Sequence, residues 1–294
     1  MPIIGYLRLV RLPNVFTAMA DIFTGFFIMR SISGPTDSAN LWLTCGASAA
    51  LYLSGMAFND LFDRKEDARI RPHRPIPSGQ VSISGAALCG ILLMLLGIAL
   101  AACVGKRSIF DALSLATFIL SYNLLAKHNC FAGPVTLGCC RFFNVHLGMS
   151  GAIGANHFMI CWAPPLVVGL FAAGLTAFSA QEEAGKQTRA IASGWILCGA
   201  GILLAGVMSP SAWLWLSLAP LVSILLFLTW RLKMLGTATA ARNLVRAGVM
   251  GICLLDAGLI LGFAGLGVWL LALSCAGLVL PGVFIAKWLA QKEA

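Results

Sequence analysis

Apolar runs of about 20 residues recur from one end of this 294-residue chain to the other. Each is long enough to cross the roughly 30 Å hydrocarbon core of a bilayer as a helix. Repetition of that length predicts an all-α polytopic membrane protein. Only 11% of the residues are charged and 59% are hydrophobic, whereas a soluble domain is about 25% charged. Spans are expected near 14–29, 40–60, 84–104, 108–126, 131–154, 158–179, 190–208 and 212–230, with a ninth ending near 264. An extra apolar run over 267–289 makes a tenth. The whole chain, 1–294, reads as one transmembrane domain with a short basic lead over 1–13.

Between the spans lie the charges. The net charge of +9 does not indicate a nucleic-acid partner, because the basic residues separate spans and do not gather on one soluble face. With the N-terminus in the cytoplasm and spans alternating, the loops 61–83, 127–130, 180–189 and 231–246 and the C-terminus share the cytoplasmic side. Arg30, Lys106 and Arg107 are then the basic residues left outside. That asymmetry is what the positive-inside rule expects, in a multi-pass protein of a bacterial-type inner membrane. Arg8 and Arg11 precede the first span, but no small-residue cleavage site follows, so that span is expected to stay. The ten cysteines lie mostly within apolar runs, as at Cys45, Cys89, Cys198 and Cys275, with no C-x-x-C pair. Cys139 and Cys140 are adjacent and point to different helix faces. Buried, inert thiols are the reading.

The second span runs into Asn59-Asp60-Leu61-Phe62-Asp63-Arg64-Lys65-Glu66-Asp67, and the loop behind it is dense in arginine and proline. Read as helix, Asn59, Asp63 and Asp67 share one face, with Asp60 on its flank. Stacked carboxylates repel unless a positive charge lies among them. Oxygen-only donors without His or Cys suit Mg²⁺, which is commonly held by one or two carboxylates and substrate phosphates. A Mg²⁺–diphosphate site at the membrane surface is one reading. A solvated acidic helix end, partnered by Arg64 and Lys65, is the other.

These residues resemble the UbiA superfamily of intramembrane prenyltransferases. Asn59-Asp60-x-x-Asp63-x-x-x-Asp67 is similar to its first Asp-rich motif. Arg11-x-x-Asn14-x-x-Thr17 resembles its N-terminal signature, and Arg74-Pro75-Ile76-Pro77-Ser78-Gly79 the loop after the motif. Val10-Arg11-Leu12-Pro13-Asn14-Val15-Phe16-Thr17 and the extra C-terminal span further resemble the EboC-like branch. The resemblance implies a UbiA-like bundle with a cavity open to the bilayer. A polyprenyl diphosphate would bind with its head at cytoplasmic Asp motifs, formed by the loops 61–83 and 180–189, and its tail among the helices. The family's second Asp motif is altered here. Gly185-Lys186-Gln187-Thr188 fits its trailing stretch, but the two Asp positions fall on Ala177 and Gln181, with Glu182 and Glu183 off register.

The implied chemistry is Mg²⁺-dependent departure of diphosphate from an allylic carbon and attack by a small, aromatic or lipophilic acceptor. Asp60, Asp63, Asp67 and Lys186 are the catalytic candidates, and Asp60, Asp63, Asp67 and Glu182 the metal ligands. Asn14, Asn59, Arg74, Tyr122, Arg141 and Asn144 are candidates for binding substrate. Arg141 has a structural alternative, a pair with a carboxylate such as Asp21, since a charge inside a span needs a partner. Asn144 and His146 have the alternative of interhelical hydrogen bonding. Tyr122, Phe142 and Phe143 could shelter an allylic cation. Asp21 is a functional candidate by its place in a span, and Asp256 has no assigned part. Two further classes stay open: a non-catalytic relative that binds or moves an isoprenoid-like or aromatic metabolite, and a channel or secondary transporter, for which no matching broken helices are visible.

Overall fold

In a computed structural model, the structure describes residues 2–152, 158–179, 187–209, 211–235 and 238–291. Their regular structure is helical throughout: α1 (Pro2–Leu9), α2 (Val15–Ser33), α3 (Ser38–Ile70), α4 (Ile83–Val104), α5 (Lys106–Ser121), α6 (Ala132–Ser150), α7 (Phe158–Ser179), α8 (Gln187–Met208), α9 (Ala212–Leu235), α10 (Ala238–Ala264), α11 (Trp269–Gly277) and α12 (Val279–Gln291). Short 3₁₀ turns cover Leu12–Asn14 and Leu266–Val268, and a π turn covers Tyr122–Ala126. Among the described residues, eight helical stretches are long and apolar enough to cross a membrane, and Trp162–Phe178 is a shorter apolar helix. α6 carries Arg141, Asn144 and His146 and is not among them, although it occupies the place of the expected fifth span.

Three expectations about boundaries change. The second span does not end at the acidic motif: α3 continues ten residues past Asp60 to Ile70. No Gly or Pro interrupts it, and the first helix breaker is Pro72. The expected 61–83 loop therefore shrinks to the segment between Ile70 and Ile83. The basic segment 231–246 is likewise mostly helical, with Arg231 and Lys233 inside α9 and Arg246 inside α10. The expected tenth run is divided at Leu278 into α11 and α12.

Burial sorts the helices into an inner and an outer set. In the most apolar stretch of each span, 67% of residues are buried in the first, 61% in α3 and 56% in α10, against 17% in α4. The exposed face of α4 carries Leu88, Ile91, Leu92, Leu95 and Leu96, side chains that lipid can cover. α2 packs on α3, α6 and α10 and so lies at the centre. Glycine permits its contact with α6: a Cβ on Gly25 would lie 2.1 Å from the Val145 carbonyl oxygen, and one on Gly148 2.5 Å from that of Ile22. Small residues at such a crossing let backbones touch, which is how helices associate where lipid removes the hydrophobic drive between them. The α2–α6 crossing fixes which polar side chains of the two helices meet.

Candidate active site

The acidic motif occupies the last turns of α3, and three separate segments bring basic side chains to it. The first is the turn between α1 and α2. Arg11 has a left-handed backbone, φ 49°, and is the non-glycine residue with positive φ among those described. That conformation costs about 1–2 kcal/mol, and such strain gathers at functional sites. From it, Arg11 Nη2 donates to Asn59 Oδ1 at 3.1 Å and to Asp60 Oδ1 at 3.0 Å.

The second segment is the proline-rich turn after α3. Ile76 and Val81 are buried with Leu9, Ala57, Phe58, Leu61 and Ala86 in a small apolar cluster. Backbone bonds from Ser78 N–H to the Arg74 carbonyl (2.9 Å) and from Val81 N–H to that of Pro75 (3.0 Å) close the turn. Anchored so, Arg74 Nη1 donates to Asp60 Oδ1 at 3.0 Å and to Asp67 Oδ2 at 2.7 Å. One guanidinium thus joins two motif carboxylates that lie two helical turns apart. Arg71 stands farther from Asp67, at 3.9 Å.

The third segment follows α5. The π turn over Tyr122–Ala126 widens the helix by one residue, a feature that often marks functional sites. Its Asn123 donates to the carbonyls of Gly55 and Ile119 at 3.3 and 2.9 Å and accepts from Asn59 Nδ2 at 3.1 Å. Lys127 then reaches Asp63 and pairs with it. Asp63, Glu66 and His128 also bring one donor atom each within 4.8 Å of one another, at the exposed rim.

The sequence candidates therefore divide. Asn59, Asp60, Asp67 and Arg74 are linked through the guanidinium groups of Arg11 and Arg74, Asp63 pairs with Lys127, and Tyr122 opens the π turn that carries Asn123. Asn14 caps the turn below Arg11, its carbonyl accepting from Thr17 Oγ1 at 2.9 Å, and it lies beside Tyr52. Arg141 and Asn144 do not join this group. Arg141 Nη1 donates to Asp21 Oδ2 at 2.9 Å and to the Thr17 carbonyl at 3.0 Å, and Nη2 donates to Thr17 Oγ1 at 3.0 Å. Asn144 Nδ2 donates to Asp21 Oδ2 and to the Ala18 carbonyl at 2.8 Å, and its Oδ1 accepts from Ser48 Oγ at 2.7 Å. This is the pairing with Asp21 that the sequence offers as the structural alternative. His146 meets Asp111 at 2.9 Å, an interhelical contact. Phe143 stacks on Phe118, and Phe142 packs against His146 and Trp162. Glu182, Glu183 and Lys186 lie outside the described residues, while Ala177 is buried. Five of the nine described cysteines are buried; Cys103 and Cys130 are exposed.

Lys127, Asn123 and Arg71 were not singled out from the sequence. The available signal was topological: spans that alternate put the 127–130 turn on the same side as the acidic motif. The donor set fits a hard divalent cation. Asn59, Asp60, Asp63 and Asp67 each offer an oxygen donor; Arg74 joins Asp60 to Asp67 and Lys127 pairs with Asp63, while among the described residues Asp63, Glu66 and His128 bring their donor atoms closest together.

Comparison with known proteins agrees with this arrangement. A curated digeranylgeranylglyceryl phosphate synthase of Metallosphaera sedula is 26% identical over 215 residues, covering 70% of this chain and 75% of that protein. The synthases of Saccharolobus solfataricus and Methanopyrus kandleri are 26% and 27% identical, over 56% and 55% of this chain and 58% and 60% of their own lengths. Against those two, the chain spans less than two thirds of the relative. Among solved structures, one of a digeranylgeranylglyceryl phosphate synthase in membranes shares the fold with a TM-score of 0.67 at 18% identity, over 90% of this chain and 99% of that one. A UbiA homolog from Archaeoglobus fulgidus bound to GPP and Mg²⁺ gives 0.61 at 16% identity, over 87% and 99%. The UbiA prenyltransferase family signature matches residues 20–247, a stretch that holds the whole acidic motif and the helices around it, and the chain belongs to that family.

Proposed function

We propose that this chain transfers a prenyl group from a prenyl diphosphate to a glycerophosphate-type acceptor at the membrane surface, with Mg²⁺. The observation that carries the reading is the ring of Arg11, Arg71, Arg74 and Lys127 around Asp60, Asp63 and Asp67. It offers both signs of charge in one place, as an anionic head group and its cation require. Asn59, Asp60, Asp63 and Asp67 would hold the metal, which supplies neutralisation of the departing diphosphate. Arg74 and Lys127 would turn from the carboxylates to diphosphate oxygens with charge-assisted bonds. The allylic C–O bond breaks with its electron pair leaving on the diphosphate. The acceptor oxygen then bonds that carbon and gives up its proton. Tyr122, next to Asn123 in the π turn, is the aromatic candidate for facing the allylic cation.

The acceptor class is taken from the relatives, whose product carries a glyceryl phosphate. Four basic side chains against three motif carboxylates suit a second anion better than a neutral aromatic ring. The Lys and Arg residues at this end of the bundle support placing it in the cytoplasm. A second reading is a non-catalytic isoprenoid binder. It is favoured by Ala177, a buried side chain with no ligand atom where the family's second Asp motif begins. Diphosphate release by the purified full chain in nanodiscs decides between them, using GPP and longer prenyl diphosphates with Mg²⁺, and a glyceryl phosphate or an aromatic acceptor. Release that depends on the glyceryl phosphate supports the proposal. Release that depends on the aromatic acceptor moves the acceptor class. Mg²⁺-dependent binding without release selects the binder.

A further inference from the structure

Asp256 in α10 is fully buried, and neither carboxylate oxygen has a hydrogen-bond partner. Asp21 Oδ1 and Thr24 Oγ1, one turn apart on α2, are also buried without partners. These groups meet, because Asp256 faces Asp21 and Thr24 where α10 packs on α2. The titratable and charged groups facing them are Arg141 from α6, Cys253 from α10 and Cys275 from α11, with Tyr52 of α3 beside Arg141. Arg141 is the one cation of that set, and it is already bonded to Asp21 Oδ2.

Counting charge shows what is missing. Two ionised carboxylates and one guanidinium leave one negative charge in a dry interior, where an unpaired charge is very costly. Two carboxylates in contact do not both ionise readily. A single proton answers both difficulties. It removes the excess charge, and it converts an orphaned acceptor into a donor toward its neighbour. The Thr24 hydroxyl is then available to the remaining Asp256 oxygen.

We infer that Asp21 and Asp256 form a proton-binding pair at the α2–α10 interface, with one proton shared between their facing oxygens and Arg141 balancing the charge that remains. The proton fastens α10 to the α2–α6 crossing, and its release sets two negative charges against each other across that interface.

The test uses infrared spectra and thermal unfolding of the full chain in nanodiscs. The native chain is expected to show the C=O stretch of a buried protonated carboxylic acid at neutral pH. The band should vanish in Asp256→Asn, and also in Asp21→Asn, where the remaining acid pairs in charge with Arg141. Asp256→Asn supplies its own donor and no charge, so its Tm should match or exceed the native value. No such band in the native chain overturns the inference, whether or not either variant folds. So does a band that survives both substitutions. Stabilisation of the native chain by sodium over potassium would mean that a metal cation occupies the pair, and overturns it too.

Discussion

The end of the bundle and its middle are built from the same materials, carboxylates against guanidinium groups, yet the two clusters differ in what surrounds them. At the end, Arg11 and Arg71 are 35% and 48% exposed, and three segments contribute redundant partners. In the middle, Asp21 is fully buried and Arg141 is only 14% exposed. The cluster is closed by the Thr17 and Ala18 carbonyls of α2, by Asn144 of α6 and by the Ser48 hydroxyl of α3. A wet, redundant cluster can exchange partners for a ligand at little cost. A dry one bonded within itself holds helices together and loses stability when any member is removed. An exposed rim of exchangeable cations, more than residue type, separates the binding site from the structural joint.

The largest effect expected from this contrast is in the middle. Arg141→Met leaves Asp21 buried without its cation and should cost about 3–5 kcal/mol, read as a large fall in Tm in detergent. Adding Asp21→Asn should recover much of the loss. A single variant as stable as the native chain would mean that the middle cluster is as exchangeable as the end. Next comes Asp63→Asn, at the end. It should lower diphosphate release on the order of 100-fold and cost less Tm than Arg141→Met, because Glu66 stands close by at the exposed rim as a second carboxylate for Lys127. A parallel collapse of stability would erase the distinction between the clusters.

Smaller effects sharpen it. Lys127→Gln should raise KM for the prenyl diphosphate about tenfold, the loss of one charge-assisted bond, with a smaller change in kcat. An equal fall in kcat at unchanged KM would assign Lys127 to the transition state alone. Arg71→Ala should be nearly silent, within about 0.5 kcal/mol of stability and within twofold in KM, since it stands 3.9 Å from Asp67 and is half exposed. A strong phenotype there would show that the rim cations are not redundant.

Local signals were readable wherever the physics is local. A run of apolar residues meets lipid along its whole length, so span positions follow from the chain itself, and α7 begins and ends at the expected residues. The acidic motif reads as helix because its spacing places three of its four side chains on one face. The helix end was misplaced because charge, which suggested a loop, is compatible with helix. Only Pro72 and the prolines behind it stop the chain.

By itself the sequence determined that the chain is a helical membrane bundle, that oxygen ligands crowd one end of its second long helix, and that the ionisable residues inside spans need partners. The tertiary structure decided which partners. Asp21 and Arg141 are 120 residues apart, and they meet because Gly25 and Gly148 let α2 and α6 touch at one crossing. Lys127 reaches Asp63 because a π turn adds a residue before it. Partner choice depends on crossing angle and helix rotation. These are set by contacts among distant segments, and no local pattern encodes them.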